Sequence, residues 1–156
     1  MRRVVKKLIP IASMLFASFA NAAGPALSQD EAKLIGAWQE GLSARLADGG
    51  PAKLQMAKKA GLLGGVVEYK ADRTFVMYPP CGPKRDSLRK AGFEHIGGKW
   101  ELTEAGALLT TIDAFGQPMK LETKLTWKDD QLVLLNKNGS VANKSGRYPG
   151  TLPPAC

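Results

Sequence analysis

The stretch MKLETKLTW, residues 119–127, alternates without a break: Met119, Leu121, Thr123, Leu125 and Trp127 against Lys120, Glu122, Lys124 and Thr126. A period of two sends successive side chains to opposite faces of a strand. A helix would spread the same residues around its whole circumference. The stretch is therefore a strand with one buried and one wet face, the mark of antiparallel sheet. One such strand leaves its edges unpaired, so the chain has to supply neighbours.

It supplies them at hairpin spacing. In VVEYKADRTFVMY, Val67, Tyr69, Phe75 and Met77 share a face across a turn at Ala71-Asp72. GKWELTEAGALLTTID repeats the form, with Trp100 and Leu102 inward and a turn near Glu104-Ala105-Gly106. Asp129-Asp130 turns the alternating strand into QLVLLN. Strands are expected near 34–39, 65–70, 73–78, 98–103, 106–112, 119–127, 131–136 and 144–149. Eight strands joined mostly by short turns predict an all-β chain with short helices: an eight-stranded up-and-down antiparallel β-barrel, which removes its edges by closing. Two excursions interrupt it. Residues 41–64 carry two short helical turns, the first stopped by DGGP and the second by Gly61, expected to form a lid or rim. PPCGPKRDSLRKAGFEHIGG carries a helical stretch at 84–91 that stops at Gly92.

Both ends of the chain bear on its environment. Arg2, Arg3, Lys6 and Lys7 precede a mostly apolar run to Phe19, and Ala20-Asn21-Ala22 has the small-x-small form of a cleavage site. Residues 1–22 read as a cleaved signal peptide, with an apolar run too short to span a bilayer. Residues 23–156 form one domain, and no transmembrane span remains after cleavage. The formal charge of +8 less these four basic residues is modest. With no basic-aromatic module, nucleic acid is not an expected partner. The expected location is the periplasm or the exterior. There two cysteines read as a disulfide, Cys81 to Cys156, closing about half the chain at about 4 kcal/mol on the chain-entropy estimate. Free thiols or an intermolecular bridge are the alternatives.

Ser28-Gln29-Asp30-Glu31 is a capping box, so a short helix from about Gln29 to Lys33 precedes the first strand. That strand carries Gly36-Ala37-Trp38, and Arg147 falls in the last strand. In this order the chain resembles the lipocalin and calycin superfamily, and in particular small lipocalin-like domains of exported bacterial proteins. The resemblance covers about residues 28–149. It implies that the helix plugs one end, that Trp38 closes the base of the barrel, and that Arg147 packs across its ring as a cation–π contact.

The chemistry-bearing residues are few. His95 is the only histidine, and no nucleophile elbow, phosphate loop, zinc-protease or calcium-loop pattern occurs. Neither enzyme activity, a metal site nor a cofactor is expected. Phe75, Met77, Trp100, Met119, Leu121 and Trp127 point into the barrel, where they either fill it or line a cavity for a small apolar or amphipathic ligand. Lys84, Arg85, Arg89 and Lys90, with Phe93 beside them, are either a solvated helix face or the contact patch of a protein–protein module. Such a module would be an inhibitor or immunity-type protein acting on an envelope enzyme.

Overall fold

In the computed structural model, which describes residues 26–114 and 117–156, eight strands follow one another around a closed barrel. They are β1 (Gly36–Glu40), β2 (Val66–Tyr69), β3 (Thr74–Tyr78), β4 (Ile96–Leu102), β5 (Ala107–Ala114), β6 (Gln117–Lys128), β7 (Gln131–Leu135) and β8 (Val141–Arg147). Every neighbouring pair is antiparallel, including β8 with β1. The up-and-down barrel expected from the alternation is thus the fold. The register also puts Val67 opposite Met77 and Tyr69 opposite Phe75, the shared face read from the sequence. Residues 1–22, read from the sequence as a signal peptide, lie outside the described residues.

One end of the barrel is closed by helix α1 (Gln29–Leu34). Ser28 accepts from the Glu31 amide and Glu31 accepts from the Ser28 amide, so two helix-end donors are satisfied reciprocally. Glu31 also pairs with Arg73 at 2.8 Å, which ties the helix to the β2–β3 turn. Leu34 is fully buried against Trp38, Tyr69, Phe75, Trp100, Leu108 and Leu132. The helix leaves carbonyls at its C-terminus with no partner inside the helix. Trp38 Nε1 donates to Leu34 O at 2.7 Å, and the Arg147 guanidinium donates to the carbonyls of Lys33 and Ile35. Arg147 lies 3.9 Å from the Trp38 ring centre, and Trp38 and Arg147 are direct partners in the β1–β8 ladder. Gly36 is needed for this: its φ is +116°, and a Cβ there would stand 2.6 Å from Arg147 Nη1.

The other end carries the long connections. Helices α2 (Ala44–Ala47) and α3 (Gly50–Lys59) follow β1. DGGP does not simply stop the first turn. Gly50 and Pro51 begin α3, because proline suits a first helical turn, where its missing N–H costs nothing. The two helices form a rim rather than a lid, with residues 61–64 after α3 bordering the open end beside Glu40, Lys84 and Asn143. They lie against the outside of the wall, through a cluster of Leu42, Ala57 and Leu63 with Leu46 and Leu54. Leu42 O accepts from Gln131 Nε2, and it sits so close to Gly146 that a Cβ would be 2.4 Å away. Helix α4 (Pro83–Lys90) follows β3, and Gly92 at φ +85° ends it. Cys81 and Cys156 are bonded, with Cα atoms 5.6 Å apart.

Two outcomes follow from this end-capping. Trp38→Ala should cost about 3–5 kcal/mol, because the ring is buried and a cavity replaces it. Arg147→Ala should cost less, and a double-mutant cycle by chemical denaturation should show coupling, since the two share one contact. Burial pushes the Tyr69 phenol up to about 12. The unfolded phenol ionises near 10, so stability is complete below about pH 10 and is lost as pH rises toward about 12. Urea titrations at about pH 9 and about pH 11 should show this loss, and Tyr69→Phe should reduce it.

Candidate ligand site at the open end of the barrel

Alternation assigns the inner face. Trp38 and Glu40 on β1, Val67 on β2, Met77 on β3, Ile96 on β4, and Asn143 and Ser145 on β8 all point the same way. Toward the end away from α1, these residues line a cavity of about 680 Å³. Its floor is Trp38, 2% exposed, with Trp127 next to it at 5.4 Å between ring centres. Its roof on one side is α4, through Pro83, Lys84, Ser87 and Leu88. Spacing of i, i+3 and i+4 brings Lys84, Ser87 and Leu88 to one helix face. Thus α4 stands over the mouth, and residues 61–64 border it from the side.

The lining is mainly apolar, with polar groups placed on one side. Ser145 is buried, and Asn143 Oδ1 is buried without a hydrogen-bond partner. A buried acceptor without a donor costs free energy, and it is the kind of group that a bound molecule with a hydroxyl or amide would satisfy. Lys84 adds a cation and Glu40 a carboxylate at the entrance. Among the described residues, no group of three His, Cys, Asp or Glu is placed to hold a metal ion. His95 is exposed, 6.0 Å from the Tyr78 ring.

The six residues read as interior separate into three groups. Met77 lines the cavity. Phe75 and Trp100 belong to the packed core near α1, with Tyr69 edge-on to Trp100 and Trp100 Nε1 donating to Lys70 O. Trp127 is partly buried against the same core, with Lys33 Nζ 4.5 Å above its ring. Met119 and Leu121 stand apart. Their register puts them on the inner face, opposite Ile112 and Thr110, yet each is 55% exposed. The reason is strand length. Pairing with β7 reaches only Lys124, so residues 117–123 of β6 pair with β5 alone. The β5–β6 arm stands beyond the barrel wall, where no facing strand covers it.

The basic cluster also divides. Lys84, Arg89 and Lys90 are exposed on α4, and Phe93 follows at 41% exposed. Arg85 is not part of a solvated face. It is 7% exposed, and its Nη1 donates to Pro154 O at 3.0 Å and lies 2.8 Å from Cys156 Sγ. It therefore clamps the C-terminal tail. Sequence reading missed Asn143 and Ser145. The signal was weak, because the β7–β8 ladder shifts register between Leu134 and Leu135 and alternation breaks just before Asn143.

The exposure difference has a measurable consequence. Leu121→Ala should change stability by less than about 1 kcal/mol, whereas Trp100→Ala should cost about 3–5 kcal/mol; equal losses in thermal or urea unfolding would place Leu121 in the core.

No protein-family model, curated protein or solved structure matches this chain, so the fold and the cavity carry the functional argument by themselves.

Proposed function

We propose that the chain is an exported, non-catalytic binding protein whose lipocalin-like barrel takes a small apolar or amphipathic molecule at its open end. The observation that carries this is the cavity over Trp38. Its volume of about 680 Å³ is in the range of small-molecule sites, its walls are apolar, and the unpaired Asn143 Oδ1 waits for a donor. The sequence of residues 1–22 supports export, and the Cys81–Cys156 bond suits an oxidising compartment. Among the described residues, no helix is long and apolar enough to cross a membrane.

A second reading keeps the open end but changes the partner. Lys84, Arg89 and Lys90 are exposed on α4, next to Phe93, and favour a protein contact with an acidic surface. Arg85 contributes nothing to it, since it faces the tail.

A titration separates the two readings. The probe is N-phenyl-1-naphthylamine, a neutral fluorophore that brightens in apolar surroundings. Wild type should bind it saturably at one site. Met77→Trp, which fills the cavity, should weaken binding by about tenfold or more, about 1.4 kcal/mol, with native circular dichroism retained. Absence of saturable binding by wild type would reject the carrier and leave the α4 surface as the interaction site.

A further inference from the structure

A second cavity lies outside the barrel, on the other side of the same wall. Where Trp38 and Val67 point in, their neighbours Gln39 and Val66 point out, and both are buried. They form the back of a cleft of about 410 Å³. Leu54 and Lys58 of α3 form one side, and Tyr148 with Pro149 and Pro154 of the tail the other. Arg85 reaches it from α4 beside the disulfide.

The lining is apolar except at a few points, and the charges in it are all of one sign. Lys58 and Arg85 line the cleft, and no Asp or Glu does. Arg85 is the telling residue. It is more than nine-tenths buried, and neither ion pair among the described residues, Lys70–Glu68 or Arg73–Glu31, includes it. Its three contacts all run from Nη1: to Pro154 O, to Cys156 Sγ and to Cys81 Sγ. Two of these acceptors are sulfurs, which accept weakly. Its Nε is buried with no partner. A guanidinium carries five N–H donors in a planar fork that matches a carboxylate. A buried cation without an anion is costly, and a carboxylate arriving in the cleft would remove that cost.

We propose that this outer cleft is a binding site for a small amphipathic monocarboxylate, with the carboxylate on Arg85 and Lys58 and the apolar part against Leu54, Leu63 and Val66. It is distinct from the barrel cavity and does not depend on it. The two sites share only the Pro79-Pro80 segment that runs between them.

The probes are octanoate and octan-1-ol, which differ in charge and little in shape. Titrated into isotopically labelled protein at about pH 7, where a carboxylate is ionised, octanoate should shift the backbone amide resonances of Leu54, Leu63 and Tyr148 saturably. Octanol should bind there about tenfold or more weakly, because it offers no charge to the fork. Arg85→Gln should weaken octanoate by a similar factor and Arg85→Lys by less, while Lys58→Gln, on α3 and outside the barrel cavity, should weaken octanoate and leave N-phenyl-1-naphthylamine binding in the barrel unchanged. The disulfide still fastens the tail in these variants. Should Arg85→Gln lose its native spectrum, the octanoate–octanol comparison on wild type and Lys58→Gln decides instead. Octanol binding as tightly as octanoate in the cleft would overturn the proposal. So would octanoate shifts confined to Val67, Met77 and Ile96, or a folded Arg85→Gln that binds octanoate as wild type does.

Discussion

A barrel built by pairing the last strand with the first depends on what holds that seam. Here the β1–β8 ladder pairs only three residues, and one guanidinium reinforces it. Arg147 ends β8, stacks on Trp38 of β1, and bonds the carbonyls of Lys33 and Ile35 at the end of α1. Two consecutive elements, α1 and β1, meet the last strand of the barrel at one side chain. The stacking contributes on the order of 1 kcal/mol, but the larger effect is accounting for polar groups. The buried Leu34 carbonyl is given a donor by the Trp38 indole, and the more exposed carbonyls of Lys33 and Ile35 by Arg147. The Gly36-Ala37-Trp38 sequence follows from this geometry. Gly36 leaves the path for the guanidinium, and Trp38 supplies the ring it lies on.

Closing one end this densely leaves the opposite end different in kind. Near α1, the turns are short and the inner residues Tyr69, Phe75, Trp100 and Leu108 are packed. At the far end, the β1–β2 and β3–β4 connections lengthen into helices, and the inner residues of those strands face a cavity. A barrel of eight strands has an interior just wide enough to be filled or to hold one small molecule. Here both solutions occur along one axis. Large aromatic residues fill the half next to the helix, and smaller ones (Val67, Ser145, Asn143) leave space in the half away from it.

The walls were legible in the sequence because alternation is a local signal. Residues 119–127 declare their two faces with no knowledge of partners, and the faces are correct. How far a face is buried is not local. Met119 and Leu121 face inward by parity, yet they are exposed because β7 ends before reaching them. Arg85 was misjudged for a related reason. A basic residue on a short helix is ordinarily solvated, and only the tail brought back by Cys156 covers it. That α4 stands over the mouth while the 41–64 segment forms its rim depends on how the loops pack, and no local pattern states that. The capped helix and the disulfide were accessible from Ser28, Glu31 and the two cysteines, whereas the Trp38–Arg147 contact was implied only by the family resemblance.

Helix α4 is where the two cavities become one structural problem. Eight residues are too few for a helix to be stable alone in water. It is fixed from outside: Cys81 is bonded to the tail just before its first turn, and Arg85 in that turn grips the same tail. Those contacts occupy one face. The adjoining side, Lys84, Ser87 and Leu88, is then held over the barrel mouth. The bond that staples the tail therefore also sets the entrance of the inner cavity and the cationic wall of the outer one. The wall between the two cavities is β1 and β2, whose inner residues Trp38 and Val67 face one and whose outer residues Gln39 and Val66 face the other. Helix α4, fastened at its first turn, spans the end of that wall and contributes side chains to both.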